Sequence, residues 1–152
     1  MLTNKKLILI ISSFLLLFTT ACDTPSFGSN KVEKKYYTGG KIRSEFVWTD
    51  NTGQNGIKRT YGYEGRVTSS VKVANGVNNG MMTYFDNKGR VIKQSPYVNG
   101  QIHGLEQEFY PNGDKMVTYT YEHNMKNGAA YSYYPDGKVH RKANYKNNRL
   151  LN

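Results

Sequence analysis

Glu106 and Glu108 stand two residues apart in a stretch where polar and apolar residues alternate. On an extended strand that spacing puts both carboxylates on one side, about 7 Å apart, a separation that suits the acid and base of an inverting glycosidase. His103 and His123 flank the same stretch, and His140 is the only other histidine. The residue types for proton transfer or metal binding are therefore present, but the spacing does not assemble them. Two imidazoles without a carboxylate or thiolate would make an unusual zinc centre, and nothing in the sequence builds a cleft over the glutamates. Gly-x-Ser-x-Gly, a phosphate-cradling loop and His-Glu-x-x-His are all missing. The expectation is a protein that is not an enzyme, with no catalytic residue, cofactor or metal, and with its histidines at surface turns.

One nucleophile has a clearer context. Lys5 and Lys6 precede an apolar stretch from Leu7 to Phe18, then Thr19, Thr20 and Ala21 lead to Cys22, the only cysteine of the chain. Twelve apolar residues are too few for the ~20 of a membrane-spanning helix, so residues 1–21 read as an export signal. Small residues before a thiol resemble a lipobox, in which the thiol takes diacylglycerol; Thr19 stands where leucine is usual. Cleavage after Ala21 without lipidation is the alternative. Several acyl chains, at about 0.8 kcal/mol per buried CH₂, would give stable anchoring. Lipidation of Cys22 implies a cell-envelope protein on the outer side of a membrane, and Asp23 favours the inner one. Residues 22–35, with Pro25, Gly28, Ser26 and Ser29, read as the anchor and a flexible tether. With the one thiol acylated no disulfide is available, so residues 36–152 must fold by packing alone.

The elements that position these groups follow from a repeat. Gly56, Gly80, Gly104 and Gly128 are 24 residues apart, and Gly65, Gly89, Gly113 and Gly137 keep the same interval. Rings recur at Tyr61, Phe85, Phe109 and Tyr133; Val67, Val91, Lys115 and Val139 form a second column, and Val73, Tyr97, Tyr121 and Tyr145 a third. A shift of 25 recovers a first unit at Tyr36, Gly40, Ile42, Phe46 and Trp48, with the extra residue in the loop Thr49 to Asn55. Tandem copies of one supersecondary unit lean on their neighbours to fold.

Inside a unit Leu105, Phe109, Val117, Tyr119 and Tyr121 are odd-numbered, while Glu106, Glu108, Thr118, Thr120 and Glu122 are even. A period of two means strands. Pro111-Asn112-Gly113 and Pro135-Asp136-Gly137 carry turn chemistry, and the other junctions are rich in Asn and Gly, with His103 and His123 at turns on one edge. The prediction is an all-β antiparallel meander of about five 24-residue hairpins, ten short strands in all. Its odd residues form one apolar face and its even residues one polar face, in a sheet left open or curled on itself. The last unit reads as cut short, and Lys138, Arg141, Lys142, Lys146 and Arg149 blunt the final edge.

These motifs resemble the bacterial variant of the MORN repeat. Phe109-Tyr110-Pro111-Asn112-Gly113 with Tyr121 and Gly128 fits its pattern, as does Tyr133-Tyr134-Pro135-Asp136-Gly137-Lys138 with Tyr145; Tyr97-Val98-Asn99-Gly100 with Gly104 supplies a second half. The first two units depart from it, Gly62 replacing the second ring and Val73 a tyrosine. The resemblance implies a β-hairpin repeat fold and a binding role toward protein or membrane. Proteins of this kind are grouped with YwqK-like antitoxins of toxin–antitoxin systems.

Charge narrows the partners. Without Lys5 and Lys6, 19 basic residues face 11 acidic ones, a net +8. Arg66, Lys72, Arg90, Lys138, Lys142 and Lys146 fall in the even set, so acidic partners are attracted. An export signal excludes nucleic acid and leaves an acidic protein, anionic lipid head groups or glycan; a merely solvated face is the plain alternative. Tyr84, Tyr110 and Tyr134 also belong to the even set and join Arg66, Lys72, Arg90, Lys138 and Lys142 as the candidate binding surface. Two functions follow: a membrane-tethered module that grips another protein, antitoxin- or immunity-like, or an envelope lipoprotein that binds lipid or glycan.

Overall fold

The computed structural model describes residues 31–151; the export signal, Cys22, Asp23 and the tether to residue 30 lie outside the described residues. Those described form one antiparallel sheet: β1 (Val32–Tyr36), β2 (Ile42–Trp48), β3 (Gly56–Tyr61), β4 (Val67–Ala74), β5 (Val77–Asn78), β6 (Gly80–Phe85), β7 (Val91–Val98), β8 (Gln101–Ile102), β9 (Gly104–Phe109), β10 (Lys115–Glu122), β11 (Met125–Tyr133), β12 (Val139–Lys146) and β13 (Arg149–Leu151). The strands lie in chain order, with the two-residue β5 and β8 pairing β4 and β7 beside the main path. The all-β meander of hairpins is as the repeat predicts. Thirteen strands replace ten because β5 and β8 are lead-in pieces of β6 and β9, and β13 follows the last hairpin. The sheet also begins at Val32, inside the segment read as tether.

Two kinds of connection alternate. At one edge, Gly65, Gly89, Gly113 and Gly137 donate back to the carbonyls of Gly62, Asp86, Tyr110 and Tyr134 across 2.8–3.0 Å, closing the predicted turns. At the other edge, Asn75-Gly76, Asn99-Gly100, His123-Asn124 and Asn147-Asn148 have φ > 0 at both positions. This is the type I′ doublet that matches strand twist.

The face assignment differs from the prediction. From β3 onward, facing residues away from the bulges join odd to even: Tyr119 lies opposite Glu106 and Ala130, Val71 opposite Lys58, and Met82 opposite Ser95. The apolar columns are thereby divided between two faces. Val73, Tyr97, Tyr121 and Tyr145 occupy one, called here the Tyr121 face. Alternation along β9 puts Phe109 on the other, with Tyr61, Phe85 and Tyr133. A bulge beside each of these rings pairs them with Val67, Val91, Lys115 and Val139. An extra residue on one strand shifts its side chains, so ring and valine share this Phe109 face.

Neither face is covered by another layer of the described residues. Burial is concentrated on the Tyr121 face, where Val71, Val73 and Ala130 are buried with Ser69, Ser95 and Glu106; Thr118 is buried on the Phe109 face. The terminal edge differs from expectation too: the basic cluster sits mainly on β12, and β13 presents Leu150 and Leu151, 54% and 43% exposed.

Both edges are stitched across units. Gly76, Gly100, Asn124 and Asn148 donate N–H bonds of 2.8–3.0 Å to the carbonyls of Gln54, Asn78, Ile102 and Lys126, again at 24-residue intervals. Asn124 Oδ1 and Asn148 Oδ1 accept the N–H of Ile102 and Lys126 at 2.7 Å, closing a second bond on each of those two rungs.

Candidate functional site

The most structured polar cluster lies in the middle of the Tyr121 face, where β6, β7, β9 and β10 run side by side. Alternation aims Tyr84, Lys93, Ser95, Tyr97, Glu106, Glu108 and Tyr121 to this side. Glu106 is 2% exposed and Ser95 1%. Ser95 Oγ donates to Glu106 Oε2 at 2.6 Å. Lys93 Nζ lies 3.0 Å from Glu106 and 3.8 Å from Glu108. The two glutamates do share a face as predicted, but the lysine occupies the space between them, so they do not flank an open cleft.

The rings around the cluster are held as phenols. Burial, helped by Tyr97 and Glu106, pushes the Tyr84 hydroxyl up to about 12. Tyr121 moves the same way through burial and Glu106. Burial works against the Lys93 ammonium, but the bond to Glu106 outweighs it and the net shift is upward. All three displacements lead away from neutrality, which suits hydrogen-bond donation and contact rather than proton transfer.

Tyr61, on the other face, also rises to about 12, through burial and its hydrogen bond to Glu45. A folded pKa above the unfolded ~10 for a tyrosine stabilises the native state below pH ~10 and loses that contribution as pH climbs toward 12. The melting temperature is therefore expected to fall over this interval, and to fall less in the Tyr84→Phe and Tyr61→Phe variants. Thermal scans followed by circular dichroism across alkaline pH check this.

The candidate binding residues do not form one surface. Tyr84 belongs to the cluster just described. Tyr110 lies at a turn, where its Oη donates to the carbonyl of Tyr133 at 2.8 Å; Tyr37 makes the same bond to Tyr61 at 2.7 Å. Tyr110 thus ties one unit to the next. Tyr110→Phe is expected to lower stability by about 1 kcal/mol, the worth of one such bond, measured by urea titration.

Tyr134 is 49% exposed and packs on His140 with ring centres 4.5 Å apart. The basic residues separate likewise. Arg66 Nη1 donates to the Asn87 carbonyl, and one unit on Arg90 Nη1 reaches the Pro111 carbonyl at 3.4 Å while its guanidinium pairs with Asp86 at 2.7 Å. Lys138 pairs with Asp136 at 3.1 Å. These three lie on the turn edge and Arg66 and Arg90 bridge units, whereas Lys72 and Lys142 stand on the Phe109 face. The even-numbered basic face of the prediction does not exist as a single surface, because from β3 onward the strand pairing sets odd residues against even ones.

Ser95, Lys93 and Tyr97 were not among the predicted site residues. A signal was present at Ser95, which interrupts a column of Val71, Tyr119 and Ala143, whereas the columns of Lys93 and Glu106 contain other polar residues, Ser69 and Arg141 in one and Lys58 in the other. Lys126 is a further addition, its Nζ 3.4 Å from the centre of Tyr119 and 5.5 Å from that of Tyr145. Among the described residues no three His, Cys, Asp or Glu side chains gather in a metal-binding cluster.

A family model described as MORN repeat variant matches residues 102–123 and 126–147. Two units of the chain are similar to that repeat. No curated protein matches the chain. Each matched MORN segment starts at the carbonyl that receives a type I′ rung, Ile102 or Lys126, and stops at the first residue of the next doublet, His123 or Asn147. One matched unit is thus a lead-in strand, the Pro-x-Gly turn and a return strand. The other hairpins repeat that geometry.

Proposed function

We propose that this protein is a non-catalytic, membrane-tethered binding module that holds another protein on its repeat sheet, in the manner of an immunity factor or antitoxin on the outer side of the cytoplasmic membrane. The observation that carries this reading is the Tyr121 face, an uncovered sheet surface set with Tyr84, Tyr97 and Tyr121 around Lys93 and its two carboxylate partners, Glu106 and Glu108. Tyrosine supplies large contact area at small entropic cost, and an uncovered patch of this kind marks interaction sites. The export signal and Cys22 supply the tether. Chemical crosslinking in intact cells, followed by detergent extraction, is expected to recover one partner from the wild type and to lose it in Tyr97→Ala and Tyr121→Ala. Recovery of nothing above background from the wild type refutes the reading.

Lys72, Lys142 and Lys146 support a second reading, affinity for anionic lipid or glycan: all three are exposed, and none is in an ion pair among the described residues. A Cys22→Ser form that floats with anionic vesicles in low salt and is released by high salt is the expected sign of it. Equal behaviour with neutral vesicles removes it.

A further inference from the structure

We propose that His103 and His123 form a two-histidine site for a divalent late transition-metal ion of the zinc or nickel kind, a site independent of the protein-binding reading above. The argument starts from the repeat. Position 103 has its counterparts at Asn55, Asn79 and Asn127, and position 123 at Asn75, Asn99 and Asn147. Both columns are asparagine in every unit except here, and both turn to histidine together.

The structure makes these two positions neighbours, with ring centres 5.1 Å apart and planes at 74°. The corresponding pair two units earlier in the series also touches, Asn75 N–H donating to Asn55 Oδ1 at 2.9 Å. One Asn–Asn contact of the repeat has thus been replaced as a unit by a His–His contact.

Two features make the pair a ligand set rather than two turn residues. First, its backbone is fixed. Ile102, before His103, and Asn124, after His123, are joined by two hydrogen bonds of 2.9 and 2.7 Å, and His123 is held in the left-handed region at φ 49°. Histidine is among the few side chains enriched there, so the exchange costs the turn little.

Second, the spacing fits. With metal–nitrogen bonds of ~2.0–2.1 Å and a ring centre about 1.1 Å beyond each nitrogen, two imidazoles at a tetrahedral angle have centres about 5.2 Å apart. The observed separation is close to that, so rotation of two exposed side chains suffices to aim one nitrogen of each at a common point. Imidazole suits zinc, nickel and copper. Solvent water completes the coordination.

Isothermal titration of tag-free full chain with Zn²⁺, and separately Ni²⁺, tests this. Saturable binding of one ion is expected, weakened on the order of a hundredfold in His103→Asn and in His123→Asn, because each substitution removes the linked second ligand. The double variant restores the Asn–Asn pair found in the other units and should keep the wild-type circular dichroism and melting temperature without the ion. Substoichiometric Ni²⁺ should broaden the imidazole resonances of His103 and His123 before that of His140. Wild-type affinity in the double variant, or no saturable binding by the wild type, overturns the proposal.

Discussion

Glu106→Ala is expected to cost about 3 kcal/mol of folding free energy, the loss typical of breaking a buried charged pair from one side. The carboxylate is 3% exposed and receives both Lys93 Nζ at 3.0 Å and Ser95 Oγ at 2.6 Å. Removing it strands a hydroxyl that is itself fully buried, and leaves the ammonium with only Glu108 at 3.8 Å. An unsatisfied buried donor costs more than the bond returned when it formed. Glu106→Gln should cost about 1 kcal/mol, since the amide oxygen still accepts from Ser95 while the ion pair is lost. Urea titrations of the Cys22→Ser form, followed by circular dichroism, compare the two. Equal, small losses would mean that the cluster does not contribute to the central strands.

Gly56→Ala is expected to cost about 2–3 kcal/mol, the upper part of the range for overpacking. Gly56 heads a series that otherwise serves bulges, with Gly80, Gly104 and Gly128 at φ 125°, 113° and 114°. Its own φ is not positive, and its reason for being glycine is space. A methyl group there would meet the Phe46 ring at 2.6 and 2.8 Å and press on the Val47 carbonyl. The ring can turn, but the carbonyl is tied into the sheet. Gly137→Ala is the control: φ is 81° and nothing lies within 4 Å of the added carbon. That substitution should cost about 1 kcal/mol, for the left-handed backbone alone. The difference between the variants in the same urea assay separates crowding from backbone preference.

The period, the strands and the turns were legible in the sequence because each is local. Pro111-Asn112-Gly113 announces its turn wherever it sits, and the 24-residue interval needs only counting. The facing of the columns was not legible. A two-residue turn such as Asn75-Gly76 pairs residue i with i+3, which exchanges odd for even at each crossing, and the bulges beside Phe85 and Tyr133 then restore ring to valine. Parity along one strand therefore says nothing about its neighbour. The same blindness scattered Tyr84, Tyr110 and Tyr134, which share a parity and not a place. Tyr84 sits one residue before its ring column and Tyr110 one residue after, so only the second reaches the next unit. The Lys93–Ser95–Glu106 cluster needed the pairing of β7 with β9, which sequence spacing alone does not supply.

The stitching of the two edges sets how the molecule can change size. The rungs, from Gln54–Gly76 to Lys126–Asn148, recur every 24 residues, and ring contacts such as Tyr119–Tyr145 reach across no more than one intervening strand. Excising 24 residues from the interior would bring equivalent backbone together with every surviving contact already satisfied, and duplicating 24 would do the same. Length is thereby uncoupled from architecture: a lineage can lengthen or shorten this sheet like a ruler, while groups confined to one unit or two neighbouring ones, the histidine pair or the Glu106 cluster, keep their local setting wherever the change falls outside them.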